Sequence, residues 1–270
     1  MRTPLALEPV NKNTSPADDE LRYVLAMTSE TKPAVHQREL DPDLVSLQMH
    51  RLIVGGLGAA LPPLVYLFAG LRPTAGILND WALLGAVSSY YHTGAVSIFV
   101  GVLFALSLFL FTYRGYREEL ADRWVARLGG VAGLVVAIVP TESPQNVLAP
   151  MWWQPWQGTV HYCAATALFG TLALFCLWLF RKSSIAAASA RPLEKRVRNM
   201  IFLGCGTFIL LCMFLAWRFG RANEPIFWPE TGAIEAFALS WLLKSGVHEN
   251  VLRAFKRLAS EPRVGGAPGQ

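Results

Sequence analysis

Charged residues are scarce in this sequence. Only 16% of its 270 residues are Asp, Glu, Lys or Arg, whereas 53% are hydrophobic and the mean hydropathy is +0.35. A soluble domain usually carries about 25% charged residues. Residues 1–50 are polar and dotted with proline, and long apolar blocks begin at Leu52. This pattern argues against an ordinary soluble domain and predicts an all-α polytopic membrane protein with a polar tail.

Two further absences narrow the class of protein. The N-terminus has no apolar core long enough for a secretory signal peptide, so the first apolar block is expected to act as the insertion signal. Cysteines do not pair in loops as they do in small secreted domains, because all of them lie inside apolar blocks. We therefore expect four small, buried apolar residues without disulfides: Cys163, Cys176, Cys205 and Cys212.

The apolar blocks predict about six membrane-spanning helices. A helix that crosses the hydrocarbon layer needs about 20 apolar residues. The predicted spans are 52–71 (with a kink at Pro62-Pro63), 95–113, 125–139, 159–180, 199–217 and 231–247. The chain then divides into a disordered polar tail (1–50), a six-helix transmembrane domain (51–247) and a basic tail (248–270). Segment 81–92 is too short to span and is expected to lie at the surface or to re-enter it.

The basic residues predict the orientation of these spans. With six spans, both ends of the chain share one side, and that side collects 21 of the 24 Lys and Arg residues. Cytoplasmic loops carry the excess of Lys and Arg, so both termini are predicted to be cytoplasmic in a bacterial inner membrane. The net charge of +5 is thereby explained without a nucleic-acid partner.

Small residues recur at a spacing of four. Gly55/Ala59, Gly129/Gly133 and Gly232/Ala236/Ser240 each predict a helix face that allows close approach in lipid. Such a face packs either against another helix of the same bundle or against a second copy of the chain. The sequence favours the first interpretation and leaves a homodimer, or another protein partner, as the alternative.

Polar residues accumulate at the predicted outer ends of the spans. Ionisable groups at membrane depth normally face the bundle interior or a water-filled cavity. We therefore predict an outer polar pocket, with an ion pair between Glu235 and Arg218 as a structural alternative for those two residues. Each histidine has an alternative role too, as an interfacial residue hydrogen-bonded to a backbone carbonyl. The candidate pocket residues are Ser88, Ser89, Tyr90, Tyr91, His92, Thr141, Glu142, His161, Arg218 and Glu235.

Several strings resemble a family of bacterial multi-pass proteins. They are "SSYYHTGAVSIFVG", "FLFTYRGY", "LGGVAGLVVAIVPTE" and "VHYCAATALF". The chain is similar to the domain of unknown function 998 group over roughly residues 52–180, and more loosely over the last two spans. Members often carry a charged residue just before "FVG", whereas Val96 and Ser97 stand near that position here. The resemblance implies a multi-pass helical fold and no particular activity.

A second resemblance concerns intramembrane hydrolases such as alkaline ceramidases and adiponectin-type receptors. The Ser88/Ser89…His92 portion is similar to the first element of their zinc site, but span six contains no His-x3-His pair. A zinc site needs three protein ligands. His92, His161 and Glu235 are the candidate ligands, with Glu142 or Tyr91 for proton transfer.

Four functions follow from these features. The first is an integral membrane protein, without a cofactor, that binds membrane lipid or a partner through the outer pocket. The second is the zinc-dependent lipid hydrolase, and the third is a small-molecule transporter, for which no internal repeat is visible. The fourth is electron transfer through a haem held by His92 and His161.

Overall fold

A computed structural model of the chain describes residues 42–77, 79, 81–113, 120–145, 147–182 and 192–246. The described part is all-helical, as predicted. Its α-helices are α1 (Pro42–Leu71), α2 (Val96–Thr112), α3 (Leu120–Ile138), α4 (Pro155–Leu177), α5 (Pro192–Gly220) and α6 (Phe227–Ser245). Two 3-10 helices accompany them: Ser88–His92, here named the SSYYH helix, and Leu179–Arg181 after α4.

Three helical segments are long and apolar enough to cross a membrane. They are Leu47–Leu71, Pro155–Arg181 and Lys195–Gly220, and Val96–Thr112 is a shorter apolar helix. Each α-helix coincides with one predicted span, but several helices extend beyond the apolar run. α5 begins seven residues before the predicted span 199–217, because its charged first turns are helical as well. α1 continues past Pro62 and Pro63 without a break.

The boundary predicted at residue 50 lies inside α1, since that helix begins at Pro42. Residues 42–50 are therefore helical. The rest of the predicted N-terminal tail (1–41) and the predicted basic tail (248–270) lie outside the described residues.

The small-residue faces pack within the bundle. A Cβ built on Gly129 would lie 2.7 Å from Thr171 Oγ1 of α4, and one on Gly133 would lie 2.6 Å from Ser107 Oγ of α2. Gly55 approaches Leu242 of α6 just as closely, at 2.8 Å. These contacts use the predicted faces inside one chain, and the proposed homodimer stays a prediction.

The cysteines are all free within the described residues. Cys176, Cys205 and Cys212 are buried, as expected of small apolar residues, and the Sγ of Cys176 donates to Ser240 Oγ at 3.2 Å. Cys163 differs from the expectation, because it lies on an exposed face of α4.

Candidate functional site

The SSYYH helix lies within the bundle. The side chain of Tyr90 is fully buried and Ser88 is 7% exposed. Thr93 ends the segment: its Oγ1 donates to the Tyr90 carbonyl (2.8 Å) and accepts the Ala95 N–H (3.1 Å). The Gly94 N–H is bound in turn by Thr74 Oγ1. These threonine hydroxyls thus satisfy backbone groups that the break before α2 leaves without helical partners.

A carboxylate from a distant part of the chain binds the start of the SSYYH helix. Glu230, in the first turn of α6, accepts the Val87 N–H at 2.6 Å, and its carboxylate also accepts the N–H of Ser88. The Ile226 N–H donates to the Gly85 carbonyl at 2.6 Å beside it. First-turn N–H groups have no partner within their own helix, so an acceptor supplied by α6 stabilises the turn and fixes α6 against it.

The two predicted histidines meet at the exit of α3. His92 Nε2 lies 2.9 Å from the Thr141 carbonyl oxygen, and His161 Nδ1 lies 2.6 Å from the Val139 carbonyl oxygen. α3 ends at Ile138, and Pro140 stands two residues later. Those carbonyls therefore have no partner further along the helix. The histidines from the SSYYH helix and from α4 supply the missing donors.

These bonds fix the tautomers of both rings. A carbonyl oxygen only accepts, so the proton lies on Nε2 of His92 and on Nδ1 of His161 in the neutral rings. Burial lowers the pKa of His92, outweighing the hydrogen bond to Thr141, which keeps this ring neutral at physiological pH. His161 is 1% exposed, and its Nε2 is left as a hydrogen-bond acceptor.

A cavity of about 70 Å³ lies beside these residues. Its polar lining residues are Ser88, Ser107, His161 and Glu230, and the remainder of the wall is almost entirely apolar. The hydroxyl of Ser107 already donates to the Leu103 carbonyl at 2.6 Å. Ser88 makes no side-chain hydrogen bond within the described residues. The lining side chains that can still accept or donate a hydrogen bond, Ser88, His161 and Glu230, thus lie where the SSYYH helix, α4 and α6 meet.

The residues that line the cavity extend along α2 and α4. Its wall on α2 is formed by Phe99, Leu103, Leu106 and Leu110, which recur on one face of the helix. Eleven residues of α-helix correspond to about 16 Å along the axis. On α4 the wall runs from His161 to Leu172. The cavity is thus an apolar slot with one polar end, named here the bundle slot.

Not all of the predicted pocket residues contribute to this site. Glu142 and Arg218 are exposed. Glu235 forms no hydrogen bond or ion pair with any described residue, so the predicted pair with Arg218 does not form. Ser89 and Tyr91 are partly buried, and the Tyr91 ring packs against His92 (centroids 5.4 Å apart) without lining the slot.

The proposed zinc ligands are likewise not brought together. Among the described residues, no three His, Cys, Asp or Glu side chains form a group that could hold a metal. His92 and His161 come close to each other, but the ring nitrogen that carries the proton is bound to a carbonyl in each case. Glu235 does not join them.

Glu230 is the functional residue that the sequence reasoning missed. It stands one residue ahead of the predicted span 231–247, and so was not considered as an intramembrane carboxylate. Burial raises its pKa to about 7, outweighing the hydrogen bonds from Val87 and Ser88, which lower it. The sequence "FWPE" does contain a signal: Pro229 in the first turn marks the helix start, and the acidic residue beside it is typical of a first turn.

Charged residues gather at the opposite end of the bundle as well. The guanidinium of Arg51 is buried and donates to Tyr113 Oη (3.2 Å) and to the Lys244 carbonyl (3.4 Å). Lys182 forms an ion pair with buried Asp122 at 3.2 Å. In the sequence these cations indicate only the orientation of the spans, because contacts between distant helix ends leave no local signal.

No known protein family, curated protein or solved structure matches the chain. The resemblance to the domain of unknown function 998 group therefore stays a prediction, and function is argued from the site alone.

Proposed function

We propose that this chain is a multi-pass membrane protein that binds a single-chain amphiphile in the bundle slot. The supporting observation is the form of the slot: it is apolar along about 16 Å of α2 and ends at Ser88, His161 and Glu230. Ligand sites are typically apolar with a few placed polar groups that fix orientation. A hydrocarbon chain matches the apolar length, and a polar head matches the end. Because the cavity of about 70 Å³ is smaller than the roughly 300–1,000 Å³ of typical ligand sites, the proposal requires the slot to widen as the amphiphile enters.

The polar end favours a neutral head group that donates hydrogen bonds. His161 Nε2 is an acceptor, and the Glu230 carboxylate accepts as well, whereas Ser88 both donates and accepts. An anionic head would meet Glu230 and be repelled by it once that group is ionised. A hydroxyl-bearing head, as in a monoacylglycerol or a long-chain alcohol, complements all three residues.

The proposal includes the topology predicted from the sequence. The six helices cross the membrane, both termini are cytoplasmic, and the SSYYH end of the bundle faces outward in a bacterial inner membrane. The loops rich in Lys and Arg support this orientation. The bundle slot then opens at the outer end, where an amphiphile in the outer leaflet presents its head group at the same level.

The experiment is native mass spectrometry of the full chain in detergent, titrated with monoolein and, separately, with oleic acid. We expect one bound monoolein and weaker retention of oleic acid at pH 8. Ala165 lines the slot on α4, so Ala165→Leu fills it and should abolish the adduct. Ala167→Leu, two residues along the same helix and outside the lining, is the matched control and should retain it.

Three results would overturn this proposal. One is equal retention of monoolein by the Ala165→Leu and wild-type proteins. The second is equal loss in the Ala165→Leu variant and the Ala167→Leu control. The third is several monoolein molecules bound with no saturable first site. Extraction and lipid analysis of the untreated protein then identifies the natural amphiphile, if the single site exists.

A further inference from the structure

A groove of about 330 Å³ lies at the other end of the bundle, where the 3-10 helix Leu179–Arg181 precedes the first turns of α5. Nothing in the proposed function uses it. Three cations line the groove, followed by one amide and two apolar residues: Arg181, Lys195, Arg196, Asn199, Met200 and Leu203. The composition changes from charged to apolar along α5.

The three cations form no ion pair with any residue that the structure describes. Arg181 Nη1 donates to the Leu177 carbonyl at 3.1 Å, and no described carboxylate pairs with its charge. Lys195 and Arg196 make no side-chain ion pair or hydrogen bond within the described part of the chain. Three positive side chains around one groove, without a carboxylate among its lining residues, complement an anion.

Aromatic residues place this groove at the level of the lipid head groups. Trp178 lies three residues before Arg181 and is 47% exposed. The ammonium group of Lys182 lies 4.1 Å from the centre of its ring. Exposed tryptophans beside cations are typical of membrane–water interfaces. This pattern predicts that the groove lies at the depth of the lipid phosphates.

The apolar side of the groove continues along an exposed face of α5. Met200 is 57% and Leu203 is 42% exposed, and Leu210 and Phe214 follow on the same face, both exposed. This part of α5 belongs to the candidate span Lys195–Gly220. An acyl chain can lie along these side chains while its phosphate remains at the cations.

We propose that this groove, named here the basic groove, binds an anionic phospholipid of the cytoplasmic leaflet. The phosphodiester contacts Arg181, Lys195 and Arg196, and an acyl chain packs on Met200 and Leu203. The occupant differs from the amphiphile of the bundle slot in charge, in leaflet and in the helix surface it uses. The cytoplasmic leaflet supplies anionic lipids to juxtamembrane cations.

The test is native mass spectrometry of the full chain titrated with phosphatidylglycerol, with phosphatidylcholine of the same acyl chains, and with inorganic phosphate. Wild type should retain phosphatidylglycerol preferentially. The triple variant Arg181→Gln/Lys195→Gln/Arg196→Gln should bind it about 100-fold more weakly, at about fivefold per cation. The matched control is Arg72→Gln/Arg218→Gln/Arg221→Gln, which removes equal charge at the opposite end and should bind as wild type does.

A second pair of variants separates lipid from a free anion. Leu203→Ser should weaken phosphatidylglycerol binding, whereas Lys195→Arg keeps the charge and should not. Equal binding of the two phospholipids, equal loss in the control triple, or displacement by millimolar inorganic phosphate would each overturn the proposal. Monoolein binding in the triple variant reports on the bundle slot, so failure of one proposal is distinguishable from failure of the other.

Discussion

At the end of the bundle that holds the SSYYH helix, the ionisable side chains bind backbone groups, and the interior beside them is hollow. His92 and His161 donate to carbonyls at the exit of α3, and Glu230 accepts amides of the chain before α2. At the opposite end, an ion pair joins Asp122 to Lys182. The interior there is filled by aromatic rings.

The aromatic filling is centred on Trp241, which is fully buried. The centroids of Tyr113, Phe180 and Phe175 lie 5.2, 5.3 and 5.4 Å from its ring. Aromatic pairs at such distances contribute beyond the area they bury. The two ends thus differ in packing. The end around Trp241 is closed by aromatic rings, and the end around the SSYYH helix is bounded by a 3-10 helix and loop backbone held by a few side-chain hydrogen bonds.

The largest loss of stability is expected from a substitution at the filled end, the end that holds Trp241 and Asp122. Asp122 is 2% exposed, and Asp122→Asn removes the carboxylate that pairs with Lys182 near Lys244. The Lys182 side chain is 21% exposed, so the pair is only partly buried and removing its carboxylate should cost about 3 kcal/mol, the low end for a buried pair. We expect a clear drop in the thermal midpoint in detergent. Glu142→Gln, an exposed carboxylate at the hollow end, is the control, and equal shifts would contradict the difference drawn between the two ends.

A smaller loss of stability is expected from a substitution at the hollow end, the end that holds the SSYYH helix and Glu230. Glu230→Ala leaves the Val87 and Ser88 N–H groups without acceptors, at about 1–3 kcal/mol for an unsatisfied buried group. Glu230→Gln keeps an oxygen acceptor and should cost less. Glu235→Ala, on the same helix but without a bonded partner, should leave the thermal midpoint nearly unchanged. A larger loss for Glu235→Ala than for Glu230→Ala would show that the wrong carboxylate has been assigned to the site.

The smallest expected effect is a pH dependence of the protein's stability that arises from Glu230 at the hollow end. Because the folded-state pKa of Glu230 is raised to about 7 from an ordinary 4.5, the folded protein binds this proton more tightly than the unfolded chain does. That contribution to stability is complete below about pH 4.5 and is lost as the pH rises through 7. The midpoint of wild type should fall relative to that of Glu230→Gln between these values. If the thermal midpoints of the two proteins changed in parallel with pH, this prediction would be wrong.

The sequence predicted the helices well and their ends less well. Hydropathy identifies the apolar residues that can lie in the hydrocarbon layer. A helix can continue beyond the last of these residues, so hydropathy does not locate its ends. α4 begins at Pro155, four residues before the predicted span, because Gln154 and Gln157 form a capping box there. The helix start is thus set by two polar side chains near the terminus, and a hydropathy average over a long window does not detect them.

The candidate site was predictable in part. The spans run alternately up and down, so His92 and His161 could be placed at one end of the bundle from their positions alone. The choice between Glu230 and Glu235 could not be made in that way. Five residues along an α-helix turn a side chain by about 140°, so the two carboxylates lie on different faces. Which face meets the SSYYH helix depends on the packing of α6, which hydropathy does not encode.

The bond between Glu230 and Val87 joins residues that lie 143 positions apart. A ribosome therefore completes α1, the SSYYH helix and α2 long before it makes the carboxylate that holds them. Until α6 emerges, the Val87 and Ser88 amides have no acceptor from Glu230. A nascent chain that ends before residue 230 therefore lacks the carboxylate that binds the Val87 amide. The turn before α2 is thus completed only once the last described helix has been made.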